Sequence, residues 1–219
     1  MWNEARSNTA AKSASDAGGA SGAARGPWQE SPLVGAADVL RAQHANVQKK
    51  FRFTERPFID LVNLRGDADD PAFASAVASV LGCRLPTTPN TAAQGEGGEV
   101  LWLGPDEWLV RSREAQAAVL EKRLAAALAG QFASAVDVGS GYTVIELAGE
   151  KVRDVIARGC PLDLHPRLFA PGQCAQSHYF KASIVLVPTA ADTFEVIVRR
   201  SFADYFCRIM LDAAAPLLL

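Results

Sequence analysis

Gly159 to Gln176 reads GCPLDLHPRLFAPGQCAQ. It stands between a helix-like segment, Lys151 to Arg158, and a strand-like one, Ser177 to Val187. It carries Cys160 and Cys174, two of the four cysteines, together with His165, and His178 follows just beyond. Pro161, Pro166 and Pro171 interrupt it. Three readings are open: a metal site, a nucleophile, or an ordered connection between packed elements. Cys160, His165, Cys174 and His178 are the right residue types for zinc. Their spacing, C-x₄-H-x₈-C-x₃-H, is not a common finger or ribbon order. A nucleophile would pair Cys160 or Cys174 with His165 or His178, oriented by Asp163. The flanking residues match no cysteine-nucleophile signature.

Working outward, the stretch sits inside a pattern that occurs twice. Before it come a strand at Ala133–Val138, a Gly139-Ser140-Gly141 turn, a strand at Tyr142–Leu147, and the helix with Val152, Val155 and Ile156 inward. After it come one long or two short strands over Ser177–Val187, then Phe194–Val198. A last helix, capped by Ser201, turns Phe202, Tyr205, Phe206, Ile209 and Met210 inward. The first half has the same order. A strand over Phe58–Leu64 leads to a helix with Asp70 as N-cap, Pro71 at its first position, an apolar face at Phe73, Val77, Val80 and Leu81, and Gly82 as its stop. A proline loop, Leu85–Asn90, and a flexible turn, Gln94–Glu99, precede strands at Val100–Leu103 and Trp108–Val110 joined by GPDE. An amphipathic helix over Glu114–Ala129 follows, with Ala117, Leu120, Leu124 and Leu128 on one face. A short helix at Ala36–His44 and a strand at Phe51–Pro57 precede this half.

The repeat pairs Leu64 with Leu147, Cys83 with Cys160 and Val110 with Val198, the offsets differing only in loops. A small thiol recurring after a matching helix and glycine, with no histidine near Cys83, reads as packing. The expected fold is α+β: two similar α+β units with antiparallel-rich sheets, spanning 30–132 and 133–219, after a disordered tail over 1–29.

Composition excludes several functions. The net charge is −2 and no dense basic block occurs, which argues against nucleic acid. No apolar run approaches the ~18 residues of a membrane span. The first residues lack the apolar core of a secretory signal, and the cysteines form no CxxC, which fits reduced thiols in the cytoplasm. Gly95-Glu96-Gly97-Gly98 is followed by a strand, not a helix N-terminus, so it reads as a turn and not as a phosphate cradle. Arg199-Arg200 has two readings, an anion or carboxylate contact or a solvated cap. Trp102 and Trp108 flank the GPDE loop as core or rim aromatics. From the residues alone no catalytic constellation emerges.

The blocks ESPL (30–33), NLRGD (63–67) with DPAF (70–73), LGCRLPTTPNT (81–91), LWLGPDEWLV (101–110), DVGSGYTVIELAG (137–149), RGCPLDLHPRLFAPGQCAQ (158–176) and VRRSFADY (198–205) come in order. They resemble the gamma subunit family of heterotetrameric sarcosine oxidase, from Glu30 to about Asp212. That resemblance implies a small subunit without catalytic residues, cofactor or metal of its own, in an alpha-beta-gamma-delta complex. Such a complex oxidises sarcosine to glycine, releases hydrogen peroxide, and yields formaldehyde or 5,10-methylenetetrahydrofolate. FAD, FMN and NAD would belong to the larger subunits and zinc to the delta subunit. The implied fold is that of the aminomethyltransferase (T-protein) without its third domain, with the alpha subunit as the direct contact. A stand-alone folate-binding one-carbon-transfer protein of T-protein type is the alternative. Candidate interface residues are Pro161, Leu162, Asp163, Leu164, His165, Pro166, Arg167, Arg199 and Arg200. Taking the Pro161–Pro171 loop as exposed, Leu164→Asp and Arg167→Glu are expected to impair assembly more than folding.

Overall fold

A computed structural model describes residues 30–45, 50–115 and 119–218. The tail expected over 1–29 lies outside the described residues. The elements in chain order are α1 (Ala37–Ala45), β1 (Arg52–Arg56), β2 (Ile59–Arg65), α2 (Pro71–Leu81), β3 (Ala92–Gly95), β4 (Gly98–Gly104), β5 (Glu107–Ala115) and α3 (Val119–Ala127). The second half contributes β6 (Ser134–Asp137), β7 (Tyr142–Ala148), α4 (Val152–Ala157), β8 (Ala175–Tyr179), β9 (Ala182–Ala190), β10 (Thr193–Arg199) and α5 (Ala203–Leu218).

Two antiparallel five-stranded sheets form, ordered β3-β4-β5-β2-β6 and β8-β9-β10-β7-β1. Written this way, the repeat is exact in topology. Each helix-flanked unit supplies four strands in the same order. The fifth strand is exchanged: β1, which precedes β2, pairs with β7 of the other unit, and β6, which precedes β7, pairs with β2. Two of the strand pairings within the sheets therefore cross the 132/133 boundary.

The alternation of side chains across each strand explains the layers. One face of the first sheet buries Val62, Leu64, Val100, Trp108 and Val110 against Phe73, Val77 and Leu81 of α2 and Leu120 and Leu124 of α3. One face of the second sheet buries Phe53, Ile145, Leu147, Phe194 and Val196 against Val152, Val155, Ile156, Phe206 and Met210. The opposite faces meet each other through Leu61, Leu101, Leu109, Val144, Val187 and Ile197. The helices thus cover the outsides of two face-to-face sheets.

Local chemistry places the elements. α2 starts where Asp70 accepts the Ala72 amide, with Pro71 just inside, and ends at Gly82 in the left-handed region, φ 72°. α3 is shorter than its apolar pattern suggested. β5 runs on to Ala115, and the α3 start at Val119 is held from across the sheet by Asp60, whose Oδ2 accepts the amides of Val119 and Leu120 at 3.1 and 3.4 Å. Ala117 lies outside the described residues. Gln94–Glu99 is not a loose turn but the tip of the β3–β4 hairpin. It is rich in glycine because it lies flush on the end of α2. A Cβ on Gly95 or Gly97 would meet the Leu81 or Val80 carbonyl at 2.0 or 2.2 Å.

The second unit repeats this contact. The Gly97 amide donates to Leu81 O at 3.0 Å, and the Phe180 amide at the β8–β9 tip donates to Gly159 O at 2.9 Å. Phe180 lies on Gly159, where a Cβ would come within 2.4 Å of its ring. In both units a hairpin tip packs on the glycine region that ends a helix. The expected strand Ser177–Val187 is this hairpin, β8 and β9.

Candidate functional site

The stretch 159–176 divides into two parts with different work. The first, 160–169, is a surface loop fixed from below. Leu164 and Phe169 are both 6% exposed and belong to the helix-side core of the second sheet. Phe169 stacks on Phe194 with ring centroids 6.3 Å apart. Beneath them Arg153, on α4, spreads its guanidinium over the Phe194 ring at 4.7 Å. Its Nη1 donates to the carbonyls of Leu164 and Phe169, and its Nε and Nη2 donate to Ala191 O at 3.2 and 3.0 Å. A planar five-donor fork suits several carbonyls at once, a task an ammonium could not copy. The loop is stiffened further by Asp163, which accepts the His165 amide at 2.9 Å, and by His165 Nδ1, which accepts the Arg167 amide at 3.2 Å.

The candidate interface residues therefore do not behave alike. Pro161, Asp163, His165, Pro166 and Arg167 are exposed, Leu162 is half-buried, and Leu164 is buried. The expectation that Leu164 is a surface residue is corrected here: it anchors the loop in the core. Leu168, unpaired with this core, stands 60% exposed. Arg199 and Arg200 lie at the far end of β10, about 17 Å along the strand from Phe194. Arg199 lies over the Tyr142 ring at 5.4 Å and Arg200 donates to Glu30 O. The two arginines and the loop do not converge.

The second part, 170–176, stitches the sheets together. Thr91 and Gln173 form an isolated bridge, Ala92 N donates to Gly172 O at 2.9 Å, and Cys174 N donates to Asn90 O at 2.9 Å. Gln176 Nε2 reaches Leu103 O at 2.8 Å. Cys174 Sγ lies 3.4 Å from Thr91 O and 3.5 Å from Trp102 O, inside the inter-sheet core.

The zinc and nucleophile readings fail on position. Cys160 belongs to the helix-side core and Cys174 to the inter-sheet core, while His165 and His178 are exposed. Among the described residues, no three His, Cys, Asp or Glu side chains gather as a metal site. Burial pushes the Cys174 thiol up to about 11 and the Cys207 thiol up to about 12. Neither is a thiolate near neutral pH. Cys83 is half-buried, and burial raises its pKa too. A disulfide-exchange reagent at pH 8 should therefore modify Cys83 first. Cys160, Cys174 and Cys207 should react only on unfolding. Fast labelling of Cys174 in the native protein would contradict its placement.

An ionic cluster closes one end of the inter-sheet layer. Arg111 on β5 donates from Nε and Nη2 to Glu99 Oε2 on β4, both at 2.5 Å, and from Nη1 to Glu195 Oε2 on β10 at 2.5 Å. Arg56 on β1 pairs with the other oxygen of Glu195. Glu195 is 3% and Arg111 6% exposed. The chain Arg56–Glu195–Arg111–Glu99 alternates in sign and ties the two sheets at the wall of a cleft of about 470 Å³. Pro171 and Gly172 of the inter-sheet segment 170–176 line the same cleft. The sequence signal is a lone charge inside an apolar strand run: Glu195 within FEVIV and Arg111 within WLVRS. These carboxylates are engaged by guanidinium groups, so the cluster acts as a fastening and not as an acid–base pair.

Trp108 is fully buried and its Nε1 donates to Pro86 O at 2.8 Å, fixing the proline loop, while Trp102 is half-buried against the same core.

Comparison with known proteins places this architecture. Residues 65–216 match the sarcosine oxidase, gamma subunit family model. A sarcosine oxidase subunit gamma from Arthrobacter sp. is 33% identical over 140 residues, 64% of this chain and 68% of that one. The fold matches a chain of heterotetrameric sarcosine oxidase from Corynebacterium sp. U-96, a structure in complex with pyrrole 2-carboxylate. The TM-score is 0.78 at 25% identity, covering 87% of this chain and 97% of that chain. Glycine cleavage system aminomethyltransferase T from Bartonella henselae shares the fold at TM-score 0.59 and 13% identity, over 79% of this chain and 48% of that one. The α+β fold with two antiparallel sheets is accordingly aminomethyltransferase-like, and the chain belongs to the sarcosine oxidase gamma subunit family.

Proposed function

We propose that this chain is the non-catalytic structural subunit of a heterotetrameric sarcosine oxidase, a complex that oxidatively demethylates sarcosine to glycine. Hydrogen peroxide is formed, and the methyl carbon leaves as formaldehyde or 5,10-methylenetetrahydrofolate. The observation that carries this reading is the likeness to the Corynebacterium complex chain over 97% of that chain's length. The polar cluster supports it, because its carboxylates and guanidinium groups hold the sheets together. In this reading the partners are the alpha, beta and delta subunits, with alpha in direct contact. FAD, FMN and NAD reside in the larger subunits and zinc in delta. The assembly works in the cytoplasm; among the described residues no helix is long and apolar enough to cross a membrane.

The rigid loop 161–168, with Leu168 outward and Arg153 clamped beneath, is the favoured contact surface, with Arg199 and Arg200 as a second one. A preformed loop costs little ordering entropy on docking. The alternative, a stand-alone folate-binding protein, draws only on the aminomethyltransferase likeness, which at 13% identity is one of fold. The purified chain given sarcosine should release no hydrogen peroxide, whereas the complex containing it should. Calorimetry of the lone chain with tetrahydrofolate should give no heat of binding. Turnover or tight folate binding by the lone chain would overturn the proposal.

A further inference from the structure

Several features meet at the edge of the first sheet. Phe132 is fully exposed, at 106% of its reference area, although it adjoins an ordered strand. That strand, β6, ends the sheet order among the described residues. Val138 N donates to Leu61 O, so by antiparallel alternation the N–H and C=O of Ala135 and Asp137 face outward from the sheet. Val136 on the same strand is 52% exposed. Beside Phe132 runs a groove of about 810 Å³ that also takes in Pro105, Ala133 and Gln131. The side-chain oxygen of Gln131 is buried there with no hydrogen-bond partner. A buried acceptor left unpaired is costly and calls for a donor. Finally, the groove is lined by Asp67, Asp69 and Asp106 against one arginine, Arg65, which is already paired with Asp106 at 3.1 Å.

We infer that this edge is a further docking surface, distinct from the loop 161–168 and from Arg199 and Arg200, taken by an extended segment of another subunit of the complex. That segment adds a strand beside β6, seats an apolar side chain against Phe132, and carries Lys or Arg opposite Asp67 and Asp69. Strand addition uses main-chain groups for affinity and side-chain pockets for choice of partner. An open edge with an exposed aromatic invites such pairing and is normally covered. The acidic rim selects a basic partner and speeds the encounter at low salt. The donor missing from Gln131 would come from the same segment.

The inference rests on the subunit reading, and the test separates the two. The full chain is co-expressed with the other subunits, as wild type, Phe132→Asp and Asp69→Lys, and the assembled complex is measured by native mass. Wild type should assemble, and Phe132→Asp should weaken retention of this chain by about tenfold or more, as loss of a buried aromatic anchor does. Asp69→Lys should weaken it less, and mainly at low salt. Phe132 makes no core contact, so misfolding does not account for a loss. As a second readout, hydrogen exchange in the wild-type complex should protect Ala135 and Asp137. Equal assembly of Phe132→Asp, or free exchange at those amides, overturns this inference alone. Failure of wild type to assemble overturns both readings. A lone-chain dimer abolished by Phe132→Asp would assign the edge to a second copy. Loss of protection on deleting residues 1–29 would assign it to the chain's own N-terminus. Either result also overturns the inference.

Discussion

Glu195→Ala is expected to destabilise the chain by about 3–5 kcal/mol, the usual cost of removing one member of a buried ion pair. Glu195 meets two guanidinium groups, one on each of its oxygens, and is 3% exposed. Its removal leaves Arg111, 6% exposed at the wall of the cleft between the sheets, with Glu99 as its remaining ionic partner. Arg56, on the exchanged strand β1, loses its link to β10 as well. The penalty is the stranded charge and not the attraction that was lost, because water no longer solvates the guanidinium. Urea unfolding of wild type and variant measures it. A loss below about 1 kcal/mol, the range of exposed pairs, would show that the cluster is solvated and does not fasten the sheets. Glu195→Gln should fall between the two, since it keeps the volume and part of the hydrogen bonding.

Leu164→Asp is expected to cost about 4–5 kcal/mol of stability, by combining loss of a buried leucine with burial of a carboxylate. Leu164 sits in the core with Phe169, and its carbonyl is one of those gripped by Arg153. A charge there would lift the loop off α4. Its neighbour gives the contrast. Arg167 is exposed, so Arg167→Glu should shift stability by no more than about 0.5 kcal/mol. If the loop is the subunit contact, Arg167→Glu should still reduce assembly. Thermal unfolding of both variants with co-purification of Arg167→Glu separates a folding defect from a docking defect. An unchanged melting curve for Leu164→Asp would contradict the anchoring.

The elements that could be read from sequence were those whose signals are local. Asp70, Pro71 and Gly82 bound α2 by capping chemistry that needs no tertiary information. The recurrence of Cys83 as Cys160 pointed to two like units, and the structure gives them the same strand order. What could not be read depends on contacts between distant segments. The exchange of β1 and β6 leaves each strand's own alternation unchanged, so periodicity does not say which sheet receives it. The cap of α3 comes from Asp60, 59 residues before Val119 in sequence, and the apolar spacing ahead of that helix extended the expectation over what is strand β5. Leu164 within LDLHP is expected at the surface because a loop sequence carries no sign of the distant core residues that bury it. Glu195 in FEVIV and Arg111 in WLVRS are single charges inside strand runs, and their pairing across two sheets depends on contacts between distant segments.

Membership of a sarcosine oxidase complex, with no chemistry by the chain alone, is what the proposed function requires. It is tested most directly by purifying the tagged full-length chain from its native host and identifying what accompanies it by mass. Three further subunits in equal amounts, and hydrogen peroxide release from sarcosine by that material, are expected. Recovery of the chain alone, or with sarcosine-dependent peroxide release in the absence of partners, would contradict it.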